Sequence, residues 1–112
     1  MATPIRRLGI VRPTADTPML AFTSTSYFFV SVIATNVSET DNATFAVWVV
    51  PAGNEALIPS HVAFNLPLNL KDSYETYRFP VMNTDEIMVE ASTSDVTFTV
   101  VGIDQINEIT SV

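Results

Sequence analysis

The 112-residue sequence contains no cysteine. Disulfide staples, zinc–thiolate centres and thiol nucleophiles are therefore excluded. Histidine is almost as scarce, with His61 the single copy. A Ser-His-Asp arrangement would have to use it, yet His61 heads an apolar segment, and no nucleophile-elbow motif occurs anywhere in the chain. Three glycines, Gly9, Gly53 and Gly102, are too few and too dispersed for a phosphate-cradling loop. Positive charge is also thin: five Lys and Arg stand against twelve Asp and Glu, for a net charge of −7. A body this acidic repels phosphate backbones, which argues against nucleic-acid binding. Long hydrophobic runs are missing too. The longest strongly apolar stretch, Tyr27–Ala34, is interrupted by Ser31 and falls far short of the roughly 20 residues that span a bilayer, so no membrane partner is expected.

What is present is core material. Of the chain, 47% is apolar and 15% charged, too apolar for a disordered segment. The length suits one domain. The first residues, Met1 to Val11, carry Arg6 and Arg7 with no apolar stretch behind them. No secretory signal is read there, and synthesis in a reducing cytoplasm is expected.

Turn and strand signals alternate at the short spacing of an all-β sandwich. Candidate strands are Ile5–Val11, Pro18–Thr23, Ser26–Val37, Ala43–Pro51, His61–Leu66, Ser73–Phe79, Glu86–Ser92 and Val96–Ile103. The separators, such as Ser38-Glu39-Thr40-Asp41-Asn42 and Asn83-Thr84-Asp85, favour local side-chain-to-backbone bonds over a ladder. Alternation is clearest near the end, where Val96, Phe98 and Val100 share one face and Thr97 and Thr99 the other. Ile87, Val89 and Ala91 likewise oppose Glu86, Met88 and Glu90. Half-buried antiparallel strands read this way. The expected fold is a single antiparallel β-sandwich, jelly-roll-like, of about eight strands. Residues 1–12 form an N-terminal arm and first strand, 13–104 the sandwich, and 105–112 a C-terminal tail.

Two strands are apolar on both faces. In Tyr27–Ala34, Phe28, Val30, Val32 and Ala34 share one face, and Tyr27, Phe29 and Ile33 the other. In Thr44–Val50, Ala46, Trp48 and Val50 line the second face. A two-layer sandwich buries one face of each sheet, so the second must be covered by a loop, a helix or another subunit. Ala56-Leu57-Ile58-Pro59 could supply part of the cover. Arg6, Arg7 and Arg12 crowd three of the five basic residues into the first twelve positions. They form either a basic arm reaching an acidic neighbour or a solvated first strand. The candidate interface is therefore Arg6, Arg7, Arg12, Tyr27, Phe29, Ile33, Ala46, Trp48 and Val50.

No catalytic constellation emerges, and no cofactor or metal is expected. Asp85-Glu86 is the one adjacent acidic pair and lies in a turn signal. Asp72, Glu75, Asp95 and Asp104 are scattered. Loop acids are raw material for calcium, but no EF-hand or glycine-aspartate repeat supports such a site. The aromatics could build a carbohydrate-binding face, with Tyr74 and Tyr77 as its test positions, although core and interface packing accounts for most of them.

Taken in order, several segments resemble a family of short β-sandwich proteins and modules of tailed-bacteriophage virions. These are an opening Leu8-Gly9-Ile10-Val11 strand with Pro13-Thr14-Ala15-Asp16-Thr17, then Met19–Thr23, then Val30-Ser31-Val32-Ile33-Ala34-Thr35-Asn36. Thr44 to Gly53 and the closing stretch Ala91 to Gly102 complete the pattern, which covers about residues 8 to 103. The chain departs from the family at Phe22-Thr23-Ser24-Thr25-Ser26, where members often carry Tyr-Thr-Val-Pro-Ala. The resemblance implies a virion structural protein with no catalytic residues. Its partners would be itself, as a homo-oligomer, and other virion proteins. A tail or neck position (ring or fibre attachment) is expected ahead of capsid decoration, with host attachment through a glycan as a further alternative.

Overall fold

The computed structural model describes residues 5–51 and 60–104. Among them lie nine strands: β1 (Arg6–Val11), β2 (Met19–Thr23), β3 (Phe28–Asn36), β4 (Ala43–Val50), β5 (Ser60–Leu68), β6 (Ser73–Glu75), β7 (Phe79–Val81), β8 (Glu86–Ala91) and β9 (Val96–Asp104). They form two antiparallel sheets. One runs β1-β9-β3-β6, with β7 also paired to β3, and the other runs β2-β8-β4-β5.

One expected strand, Ser73–Phe79, is in fact two. β6 pairs with Ile33–Thr35 and β7 with Phe28–Val30, so both lie along the same edge of β3 as one interrupted strand. Thr76 marks the break. Its N–H donates to the Val32 carbonyl, and its hydroxyl accepts the Val32 N–H, both at 3.0 Å. A side-chain oxygen thus stands in for the backbone carbonyl a continuous ladder would use, and the chain leaves the sheet at Tyr77 and Arg78. Counted as one, the pairs 1–9, 2–8, 3–6/7 and 4–5 describe a long hairpin folded over into two sheets. That is jelly-roll winding.

Period-2 patterning places the core. Val30, Val32 and Ala34 face Phe45, Val47, Ile87 and Val89 across the sandwich, with Val96, Phe98 and Val100 beside them, and all are buried. The Phe45 and Phe98 rings meet at 6.1 Å between the sheets. Each such buried ring contributes roughly 2–3 kcal/mol through apolar area removed from water. At one end Phe22 stands edge-on to Phe28 at 5.7 Å, and the Arg6 guanidinium lies 5.8 Å from the Phe28 ring centre.

Glycine is required where backbones crowd. A Cβ on Gly102 would sit 2.8 Å from the Phe29 carbonyl oxygen, and one on Gly9 would sit 2.6 Å from that of Ala21. The second contact is where β1 of one sheet passes β2 of the other. It coincides with a register shift between Arg7 and Gly9.

Asn36 ties the layers together. Its buried Nδ2 donates to the carbonyls of Asp41 and Leu68 at 2.9 and 3.1 Å, and its Oδ1 accepts the Ser38 N–H at 3.0 Å. The end of β3, the β3–β4 loop and the end of β5 are thereby joined by one side chain. The segment Phe22–Ser26 is held from the other side. Ser24 donates its N–H to the Asp85 carbonyl and accepts the Thr84 N–H.

Candidate assembly surfaces

The outer face of the β1-β9-β3 sheet follows from strand register. Arg7 lies beside Val101 and Ile10 beside Thr99, while Phe29 has Ile103 on one side and Pro80 on the other. Ile10 is 57% exposed and Phe29 40%, whereas Val101, Ile103 and Ile33 are half-buried. Phe29, Val101 and Ile103 line a shallow depression of about 50 Å³ with Ile5, Glu75 and Arg78 at its margin. The Ser31 hydroxyl donates to Glu75 Oε2 at 3.0 Å, which commits that carboxylate locally. Tyr27 is exposed immediately before β3. The structure therefore brings Arg7, Phe29 and Ile33 onto one face.

The other outer face behaves differently. Ala46, Trp48 and Val50 point outward opposite Glu90, Met88 and Glu86. Ala46 and Val50 are nonetheless only 5% and 6% exposed within the single chain, and Trp48 is half-buried. Of the three expected interface positions on this face, Ala46 and Val50 are thus already covered within the chain, and Trp48 stays partly open. Directly paired side chains in an antiparallel sheet lie about 5 Å apart. The half-buried Glu86 and Glu90 are the cross-strand neighbours of Val50 and Ala46. The segment Ala56–Pro59, expected as cover, falls outside the described residues, as does the 105–112 tail. Among the described residues of β2, β4 and β8, this face still offers a partner Leu20, Met88, part of Trp48, and the carboxylates of Glu86 and Glu90.

The three early arginines do not act together. Arg6 and Arg7 belong to β1, with Arg6 over Phe28 at the sandwich end and Arg7 on the outer face. Arg12 is bound within the chain. Its Nε donates to the Ser94 carbonyl at 2.7 Å and its Nη2 to Asp95 Oδ1 at 2.9 Å. The described part of the basic segment, residues 5–12, is thus a paired strand and a corner contact.

Other side chains singled out by chemistry have structural employment. Asp85 Oδ2 accepts the Met82 N–H in a tight turn, and Glu86 points outward next to it. Tyr74 packs its ring on Phe45 at 5.5 Å, while Tyr77 stands 91% exposed. His61 pairs with Trp48 in the β4–β5 ladder. Among the described residues, no three His, Asp or Glu side chains are grouped to hold a metal ion.

Ile5, Ile10, Val101, Ile103 and Arg78 were not among the expected interface residues. For two of them the signal was readable, because Val101 and Ile103 continue the Thr97–Thr99 row and turn it apolar. Arg78 joins the face only through the break between β6 and β7, which no local pattern announces.

No family model and no curated protein matches the chain. Among solved structures it is similar to a chain of the T13 infectious bursal disease virus particle, an icosahedral virus, with a TM-score of 0.53 at 8% identity. That likeness covers 94% of this chain and 32% of the viral one, so this chain spans about a third of its length. It is also similar to the Eiger TNF from S. frugiperda, with a TM-score of 0.51 at 10% identity, covering 92% of this chain and 93% of that one. These likenesses show the fold. A viral particle and a TNF share it, and fold alone does not assign a role.

Proposed function

We propose that this chain is a structural component of a virion, working by packing against copies of itself and neighbouring virion proteins rather than by catalysis. The observation that carries the reading is the outer face of the β1-β9-β3 sheet, where exposed Ile5 and Phe29 line one depression with Val101 and Ile103, and exposed Ile10 lies further along the same face beside Thr99. Contiguous apolar surface of this kind marks an interaction site. The similarity in fold to a chain of a viral particle supports it. The ordered resemblance of residues 8 to 103 to tailed-phage β-sandwich proteins favours a tail or neck station, as a ring or fibre-attachment part. Capsid decoration is the second station. The net charge of −7 supports protein partners over nucleic acid.

Mass spectrometry and electron microscopy of intact particles test this directly. The chain should appear in stoichiometric amounts and in symmetric copies at one site, and its density on the tail axis or on the capsid lattice distinguishes the two stations. Absence from purified particles would overturn the proposal. A glycan-binding role needs two or three aromatics exposed together beside polar groups. Tyr74 is committed to Phe45, which leaves Tyr77 without its expected companion.

A further inference from the structure

The two broad faces differ in net charge: Arg7 and Arg78 outnumber the one Glu75 on the first, and glutamates stand without a basic residue among the described positions of the second. On the β1-β9-β3 face, Arg7 sits beside Val101 and Arg78 borders the Phe29 depression, and neither makes an ion pair among the described residues. On the β2-β8-β4 face, the described outward positions include Glu86 and Glu90 but no Lys or Arg, and these glutamates are likewise unpaired. Each face also holds apolar surface next to its charge. Ile10, Phe29 and Val101 lie on the first, Leu20 and Met88 on the second.

We infer that copies of this chain dock head to tail, the Arg7/Arg78 face of one against the Glu86/Glu90 face of the next. This rests on the assembly reading above and specifies its geometry. Either self-complementary alternative is penalised. Joining two Arg7/Arg78 faces would oppose four guanidinium groups with only two carboxylates, one Glu75 from each copy, between them. Joining two Glu86/Glu90 faces would oppose four carboxylates with no basic residue between them. Like charges brought together in an interface cost several kcal/mol, whereas opposite charges steer the encounter and set its register. Glu86 and Glu90 are four residues apart, about 13 Å along β8, which is room for two separate arginine contacts. A heterologous contact does not stop at a dimer; it propagates, closing a ring where the rotation allows and otherwise extending as a filament.

Charge exchange between the faces tests the geometry. One variant carries Arg7→Glu and Arg78→Glu, the other Glu86→Lys and Glu90→Lys. In each, the two faces have the same sign. Light scattering after size exclusion should show wild type assembling and each variant alone monomeric, with its assembly midpoint raised at least about tenfold. Circular dichroism and thermal melts check that both remain folded. An equimolar mixture restores complementary faces between alternate copies, so assembly should return, with both masses in every oligomer by native mass spectrometry. Wild-type assembly should also weaken as salt rises.

If either folded variant assembles alone as wild type does, or if the mixture fails to restore assembly, head-to-tail docking is overturned while symmetric packing by another surface stands. If wild type stays monomeric at every concentration, docking between copies is overturned, and the virion role is then decided by the particle measurements alone.

Discussion

β3 and β4 look alike in sequence, each apolar on both faces and each central in its sheet, yet their outward sides meet different fates. Phe29 on β3 is flanked by Ile103 and Pro80, which are too short to shade an aromatic ring. Ala46 and Val50 on β4 are small, are flanked by Glu90 and Glu86, and are almost fully buried within the chain. The lesson is that apolar character on the second face of a strand does not by itself mark an interface. What matters is the size of each outward residue relative to its cross-strand neighbours.

The two sheets must first be held in one sandwich, and Asn36 is the side chain that joins the end of β3 to the end of β5. Asn36→Leu leaves the Asp41 and Leu68 carbonyls and the Ser38 amide without that partner. Urea unfolding should show a loss of about 3 kcal/mol, since each stranded buried group costs about 1–3 kcal/mol. A loss under about 1 kcal/mol would mean the layers are held by packing alone.

A matched pair separates the two outward faces. Val50→Ser should destabilise the monomer by about 2 kcal/mol through lost burial and an added hydroxyl. Phe29→Ser should cost no more than about 1 kcal/mol in the monomer while abolishing assembly. Unfolding curves and light scattering on the same samples give both numbers. Equal stability losses would erase the distinction between β3 and β4.

The smallest effect is expected away from both faces. Thr84 adopts a φ of 72°, a left-handed conformation poorly suited to a β-branched residue, held by its N–H bond to the Ser24 carbonyl. Thr84→Gly should relieve that strain and stabilise the protein by up to about 1 kcal/mol, partly offset by the greater freedom of glycine when unfolded. Assembly should be unchanged, because the turn belongs to neither face. A fall in melting temperature would show that the side chain contributes more than its backbone strain costs.

Much of the fold was legible because strands with one buried face must alternate. Phe28-Val30-Val32-Ala34, Ile87-Val89-Ala91 and Val96-Phe98-Val100 all turn inward as their period requires. The division of Ser73–Phe79 into β6 and β7 was not legible, because it depends on the Thr76 hydroxyl meeting Val32, which is 44 residues away. The surface was legible only in part. Phe29 and Ile33 were found from the alternation of β3, but Ile5, Ile10 and Arg78 reach the same face through pairings between distant strands. Arg12 appeared equivalent to Arg7 until Asp95, 83 residues on, proved to be its partner.

The sequence alone determined that this chain is all-β, where most of its strands lie, and which alternating rows fill much of the core. Those outcomes follow from local periodicity and from turn residues that compete with ladder hydrogen bonds. Only the tertiary structure decided which apolar outward residues stay open and which are covered, and that the two broad faces differ in charge. Exposure and charge at a surface depend on cross-strand neighbours brought together by folding, and no window along the chain contains them.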